Sequence, residues 1–284
     1  MNTKNLLLLA SLTLTMPLAA QTPQEDFKRD ITLSGSNYVA YRGPQKQLTA
    51  APKGYKPFYL SHYGRHGSRY MIGKKAYDVP YFSLLKAKQE GKLTAKGEET
   101  LAKVKLIREE AKGRDGELTP LGALQHQGIT RRMMERFPEI FAGNTNIEAR
   151  STLVIRCILS MENGLQQMLR MNPKLHIFHD ASDHDMYYMN QGDRYLDSLK
   201  NSVGIKVVQQ EFAQKHVSYS RLMQELFNDP AWVKQNINQS DLNRKLYEMA
   251  SSIQGTELRG KVSLYDLFTE EELYQNWLNA NIWW

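Results

Sequence analysis

At 284 residues, 41% hydrophobic and 24% charged, the chain is long enough for one large domain, or one domain with an insertion. Its formal net charge of +7 fits anionic partners (phosphorylated metabolites, nucleic acid or acidic surfaces) without choosing among them. The single cysteine, Cys157, excludes an internal disulfide framework and reads as a small buried residue in an apolar helical pattern.

The first residues have the pattern of an export signal over 1–20. Lys4 is the only charge, Leu6 begins an apolar stretch, and Leu18-Ala19-Ala20 supplies small residues before Gln21. The apolar part is short and broken by Ser, Thr and Pro17, which argues against a membrane-spanning helix. No second long apolar segment follows, so no membrane span is expected once the signal is removed. The chain is therefore expected to be exported, to a periplasmic or extracellular location.

Residues 21–56 are rich in Pro, Gly, Thr and Gln without a clear period and are expected to form a loosely structured lead-in. Phe58-Tyr59-Leu60-Ser61-His62-Tyr63 has the aromatic, β-favouring composition of a strand. It runs into Arg65-His66-Gly67-Ser68-Arg69, and strand ends are where open α/β sheets place ligand sites. Residues 73–92 are mixed and polar, with Pro80 as a breaker. A helix is expected from about Gly97 to Lys112, stopped by Gly113. Another starts at Thr119 as N-cap with Pro120 in first position and ends near Phe137.

Asn146-Ile147-Glu148-Ala149 and Leu175-His176-Ile177-Phe178 are short strand candidates flanking a helix over about 153–170. This alternation predicts an α/β fold, a doubly wound sheet with helices on both faces, over residues 57–190. Beyond residue 190 only helices are expected (Val207–Phe227, Asp229–Asn236, Asp241–Ser252, Tyr265–Ala280), forming a helical cap over 191–284. The sequence stops in the aromatic run Ile282-Trp283-Trp284, and only three strands are visible. Both features lead to the expectation of an incomplete sheet, lacking a C-terminal portion; the alternative is a small sheet covered by helices alone.

The chemistry centres on residues 65–69. An imidazole between two guanidinium groups suits a phosphate better than a metal cation. His66 is placed to attack phosphorus, Arg65 and Arg69 to hold the non-bridging oxygens, and Gly67 to allow close backbone approach. On spacing alone, a basic surface turn with a solvated histidine fits equally well.

This stretch resembles the RHGxR signature of the histidine acid phosphatases, the larger-bodied branch of the histidine phosphatase superfamily. Leu118-Thr119-Pro120-Leu121-Gly122 with Gln125-His126 resembles that family's LTPLG…QH helix start, and the segment from Arg150-Ser151-Thr152 to Ser160 resembles its RST…R…S segment. The resemblance implies a phosphomonoesterase acting through phosphohistidine, a third phosphate-binding arginine at Arg156, and no metal or organic cofactor. The helices beyond 190 agree with the family's helical cap. Tyr70, Lys74-Lys75 and the run Asp183 to Tyr188 are most similar to the multiple inositol polyphosphate phosphatase-like members. That likeness implies small phosphorylated substrates such as phytate, other inositol phosphates or 2,3-bisphosphoglycerate. Lys74 and Lys75 are then possible substrate contacts, or an ordinary solvated pair.

The family takes its proton donor from a late His-Asp or His-Ala-Glu motif, which is not found in this sequence. His179-Asp180 and His184-Asp185 precede the cap and are in the wrong order to substitute. The cluster His176 to Asp185 matches no familiar zinc or iron spacing and is read as a polar loop. His62 is expected in the core or supporting His66 from behind, His126 on a helix facing the sheet, and Tyr63 in packing. A phosphate-binding polypeptide without turnover is the main competing function. Nucleic-acid binding is disfavoured by the export signal and by the lack of interleaved basic and aromatic residues.

Overall fold

The computed structural model describes residues 22–46, 48–189 and 193–282; the expected export signal lies outside them. Its regular elements, in chain order, begin with α1 (Pro23–Arg29), a 3-10 segment (Ile31–Tyr38), α2 (Lys75–Gln89), α3 (Ala95–Glu110) and α4 (Pro120–Arg136). A βαβ unit follows: β1 (Asn146–Arg150), α5 (Ile155–Met171) and β2 (His176–Asp180). The remainder is helical: α6 (Arg194–Lys200), α7 (Val203–His216), α8 (Ser220–Leu226), α9 (Pro230–Asn236), α10 (Gln239–Ser252) and α11 (Glu270–Ile282). This is a helix-rich α/β fold. No helix among the described residues is long and apolar enough to cross a membrane.

β1 and β2 pair in parallel, from Asn146 opposite His176 to Arg150 opposite Asp180, as a crossover through α5 requires. Ile147 and Ile177 share a small cluster with Met133 and Met134 of α4, with Phe137 just beyond it and with Met168 of α5, whereas Phe178 is exposed. The expected strand at 58–63 does not form. No described strand lies beside it, Phe58 is 95% exposed and Tyr63 77% exposed, and β-favouring side chains without a partner strand make no ladder. Leu60 alone joins the small cluster against the sheet.

The larger core joins helices from both sides of residue 190. Leu84 of α2 and Val104 of α3 are fully buried with Leu222, Leu226, Leu242, Leu246, Met249 and Leu264. Residues 75–89, expected to be broken by Pro80, form a continuous helix. Pro80 removes the N–H that Ala76 would have accepted. The stripe Ala76, Tyr77, Pro80, Leu84 and Ala87 is nevertheless buried along its length, and packing outweighs the lost bond. The helix expected over Val207–Phe227 divides at Val217, whose backbone is extended, and the Ser218 N–H is taken by Gln275. Cys157 is half-buried rather than buried.

The lead-in is more ordered than its composition suggests. Thr22 and Glu25 form a reciprocal capping box around Pro23, and Phe27 packs edge-on to Trp277 of α11. The 3-10 segment then runs along α10 and α11, bringing residues 37–41 to the loop at 65–69.

Candidate functional site

The loop Arg65–Arg69 is built against the start of α4. Thr119 caps that helix by accepting the Gly122 N–H at 3.1 Å, and both its backbone N–H (2.9 Å) and its hydroxyl (3.1 Å) donate to the Ser68 carbonyl. Arg69 pairs with Leu118 in an antiparallel bridge, and the Tyr70 N–H donates to the Glu117 carbonyl at 3.0 Å. The two backbones meet at a pair of glycines. A Cβ on Gly67 would lie 2.4 Å from the Gly122 carbonyl oxygen, and one on Gly122 would lie 2.3 Å from that of Ser68. Buried Gln125, one turn into α4, accepts the Ser68 N–H at 2.8 Å and donates to the Tyr41 carbonyl.

The third motif closes the loop from the other side. Arg156 stands in the first turn of α5, and Ser160, one turn on, accepts the Gly67 N–H. Three stretches separated by up to about ninety residues are thus tied together by hydrogen bonds to the backbone of the loop.

His66 Nδ1 lies 2.7 Å from the Gly67 carbonyl, which can only accept, so Nδ1 carries the hydrogen and Nε2 keeps its lone pair in the neutral ring. Burial first, then the charges of Arg65, Arg156 and Arg69, lower the His66 pKa to about 4, against the opposing effect of the Gly67 bond. Arg65, although in contact with solvent, is crowded enough that desolvation lowers its pKa, and Arg69 and Arg156 lower it further. Arg156 is lowered in the same way by burial and by Arg69. The three guanidinium groups thus lie within electrostatic reach of one imidazole.

Their hydrogen bonding leaves capacity for an anion. Arg65 donates to the Asn37 carbonyl, Arg69 to the Tyr70 carbonyl, and Arg156 to the Gly116 carbonyl at 3.4 Å. The Nε atoms of Arg69 and Arg156 are buried without a hydrogen-bond partner. A cavity of about 210 Å³ opens on the loop, lined by Arg65, His66 and Arg69 together with His62, Gln125 and His126, and by Asn37 to Tyr41 from the lead-in. Among the described residues no aspartate or glutamate lines it.

Of the expected site residues, Arg65, His66 and Arg69 line the cavity, while Arg156 stands behind the loop, close enough to act on His66 electrostatically but not among the lining residues. Lys74 and Lys75 are exposed at the start of α2 and do not line this cavity. His62, expected in the core or supporting His66 from behind, is exposed at the cavity wall. His126 faces the loop, its Nε2 3.1 Å from the Arg65 carbonyl. Tyr63 is exposed, with its hydroxyl on the Met189 carbonyl. The polar stretch around 176–185 disperses: His179 meets Glu162 and Asp185 meets Arg150. Among the described residues no group of three or more His, Cys, Asp or Glu is placed to hold a metal ion.

No protein-family model and no curated protein matches this sequence. Among solved structures, the chain is similar to the Bifidobacterium longum multiple inositol polyphosphate phosphatase in complex with inositol hexasulfate. The TM-score is 0.66 at 16% identity, covering 87% of this chain and 68% of that one. The apo form of the same protein gives 0.66 at 15% identity (85% and 66% covered), and its phosphate complex gives 0.64 at 16% (88% and 66% covered). The chain spans about two thirds of the length of these structures, and at such identities the likeness establishes the shared fold.

Proposed function

We propose that this chain is an exported phosphomonoesterase of the histidine acid phosphatase type, acting on inositol polyphosphates or other small phosphate esters through a phosphohistidine intermediate. The observation that carries the proposal is that Arg65 and Arg69 line one cavity with His66, whose Nδ1 hydrogen is held by the Gly67 carbonyl, with Arg156 in electrostatic reach behind them. The fold shared with a protein crystallised with inositol hexasulfate and with phosphate agrees with it.

His66 Nε2 attacks phosphorus, and the bond from phosphorus to the leaving oxygen breaks. The arginines hold the non-bridging oxygens as the charge redistributes. A depressed pKa keeps the imidazole neutral, hence nucleophilic, under mildly acidic conditions. Nδ1–H, fixed on Gly67, carries the positive charge that develops on the ring. The leaving alkoxide takes a proton from a donor, and water then displaces the phosphoryl group from nitrogen to give inorganic phosphate. Lys74 and Lys75 remain candidates for contacting the outer phosphates of a polyphosphorylated substrate that extends beyond the cavity.

A second reading rests on the lining of the cavity, which among the described residues contains no carboxylic acid to protonate the leaving group. On that reading the chain binds phosphate esters and transfers the phosphoryl group to His66 without efficient turnover.

One experiment tests both. The purified chain is mixed with a radiolabelled inositol polyphosphate and quenched in alkaline denaturant, which preserves phosphohistidine. A base-stable, acid-labile label absent from His66→Ala supports the phosphohistidine route, and repeated release of phosphate supports the full enzyme. A single stoichiometric burst supports the second reading. Labelling of His66→Ala equal to wild type would overturn the assignment of the nucleophile.

A further inference from the structure

The 3-10 segment Ile31–Tyr38 contains Ser36 at φ 48° and ψ −127°, the only non-glycine residue with positive φ among those described. An L residue adopts this backbone only when its surroundings impose it. The surroundings here are specific. Ser34 is fully buried, and its carbonyl accepts the Tyr247 hydroxyl at 2.6 Å. Gln254 brackets the segment with one side-chain amide: Nε2 donates to the Thr32 carbonyl at 3.0 Å, and Oε1 accepts the Ala40 N–H at 3.0 Å. Gly35 is packed so closely that a Cβ there would lie 2.7 Å from Gln254 Nε2.

The two residues after the strained one each hold an arginine of the site. The Asn37 carbonyl accepts from Arg65 at 3.1 Å. The Tyr38 ring lies 5.2 Å below the guanidinium carbon of Arg69. Asn37 and Tyr38 both line the cavity around His66. The clamp on the other side comes from residues 247–254, so the segment couples the helical part of the molecule to the arginine loop.

We propose that Ser36–Tyr38 is an arginine-orienting clasp in which Tyr38 is a positioning residue: its ring face fixes the Arg69 guanidinium for an oxyanion held over His66. The proposal rests on the anion-site reading above. Arg69 carries a buried Nε with no partner, and a guanidinium loses much less freedom on binding when one face is already covered by a ring. The clasp acts on affinity for the oxyanion through Arg69 and makes no contact of its own with the reacting atoms.

The test uses the whole chain and inorganic phosphate as probe. Phosphate affinity is measured by calorimetry for wild type, Tyr38→Phe, Tyr38→Leu and Tyr38→Met. The Arg69 Nε–H resonance is followed by NMR in arginine-labelled protein and assigned with Arg69→Lys. The expected result is that Leu and Met weaken phosphate binding by about five- to tenfold, while Phe, which keeps the ring under Arg69 and loses only the hydroxyl contact to it, weakens it clearly less than either. The Arg69 signal is expected to be ring-current shifted in wild type and Phe and to lose that shift in Leu and Met. A folded Leu or Met variant that binds phosphate as wild type does overturns the clasp. So does an unshifted Arg69 signal in wild type, which requires no variant to fold. If wild type binds no phosphate and neither His66 nor Arg69 responds to it, the anion-site reading fails and the clasp fails with it.

Discussion

The Ser160 hydroxyl accepts the Gly67 N–H at 3.1 Å and donates its own hydrogen to the Arg156 carbonyl at 2.7 Å. One side chain, 2% exposed, thus joins the loop that carries the imidazole to the helix turn that carries the third arginine. Ser160→Ala would leave a buried N–H unsatisfied, and a loss of about 1–3 kcal/mol in unfolding free energy is expected. Because Gly67 follows His66 directly, phosphate affinity should fall with it. Ser160→Thr, which keeps the hydroxyl, separates the two effects: a folded Thr variant with the affinity of Ala would show that the hydroxyl does not position the loop.

Gly122 and Gly128 lie on the same helix, and the same substitution should have opposite outcomes. A Cβ at Gly122 meets backbone, 2.3 Å from the Ser68 oxygen and 2.9 Å from its nitrogen. Gly122→Ala must therefore push the loop away from α4, at an expected cost of about 1–3 kcal/mol and with loss of phosphate binding. At Gly128 the nearest atom within 4 Å is the tip of the Arg132 side chain at 3.2 Å, which can move aside. Gly128→Ala removes a helix-interior glycine and is expected to stabilise by up to about 1 kcal/mol. Denaturant melts of the two variants are sufficient, and equal destabilisation would show that the close contact of the two backbones is not what constrains Gly122.

The depressed pKa of His66 also makes stability depend on pH in a definite direction. Above about pH 6.5, its ordinary value, the imidazole is neutral in both the folded and the unfolded chain. Between about 6.5 and about 4 the unfolded chain takes up a proton that the folded chain does not, so stability falls as pH falls through that window. Replacing His66 by Gln should remove this component. The check is the difference between the wild-type and His66→Gln stability curves from pH 7 to pH 4; a flat difference would mean that His66 titrates alike in both states.

Much of the site was legible because its three motifs carry their own local geometry. Thr119-Pro120 announces a capped helix start, which forms, and His66 between two arginines is the pattern from which an anion site is proposed. What joins them, the contact of Gly67 with Gly122 and the Ser160 bridge, is tertiary and leaves no periodic trace. The strand expected at 58–63 failed for the reason that limits all strand reading: the residues suit a sheet, but no described strand pairs with them. The helix at 75–89 was hidden by Pro80, whose cost is outweighed by a buried stripe visible only once Leu84 and Ala87 are seen packed. The lead-in did hold one readable signal, Thr22-Pro23-Gln24-Glu25, an N-cap with proline first and glutamate third. Nothing in the sequence marks Tyr38, because an aromatic ring beneath a distant arginine has no spacing to betray it.

The arginines can be ranked by their effect on the imidazole. Burial is the largest cause of the low His66 pKa, and among the charges Arg65 acts most strongly, then Arg156, then Arg69. Each repels the protonated ring, so replacing any of them by Gln removes a charge that opposes protonation, and the His66 pKa should rise from about 4 towards its ordinary value. The rise should be largest for Arg65→Gln and smallest for Arg69→Gln. Inorganic phosphate should act in the same direction in wild type, since a bound anion offsets the arginine charges, and it should act less in each variant, since one anchor is gone. NMR titration of the His66 ring protons measures all four proteins with and without phosphate. A His66 pKa that stays unchanged in all three variants would mean that burial alone sets it. The guanidinium groups would then lie too far from the ring to share an oxyanion with it, and the phosphohistidine proposal would lose the observation that carries it.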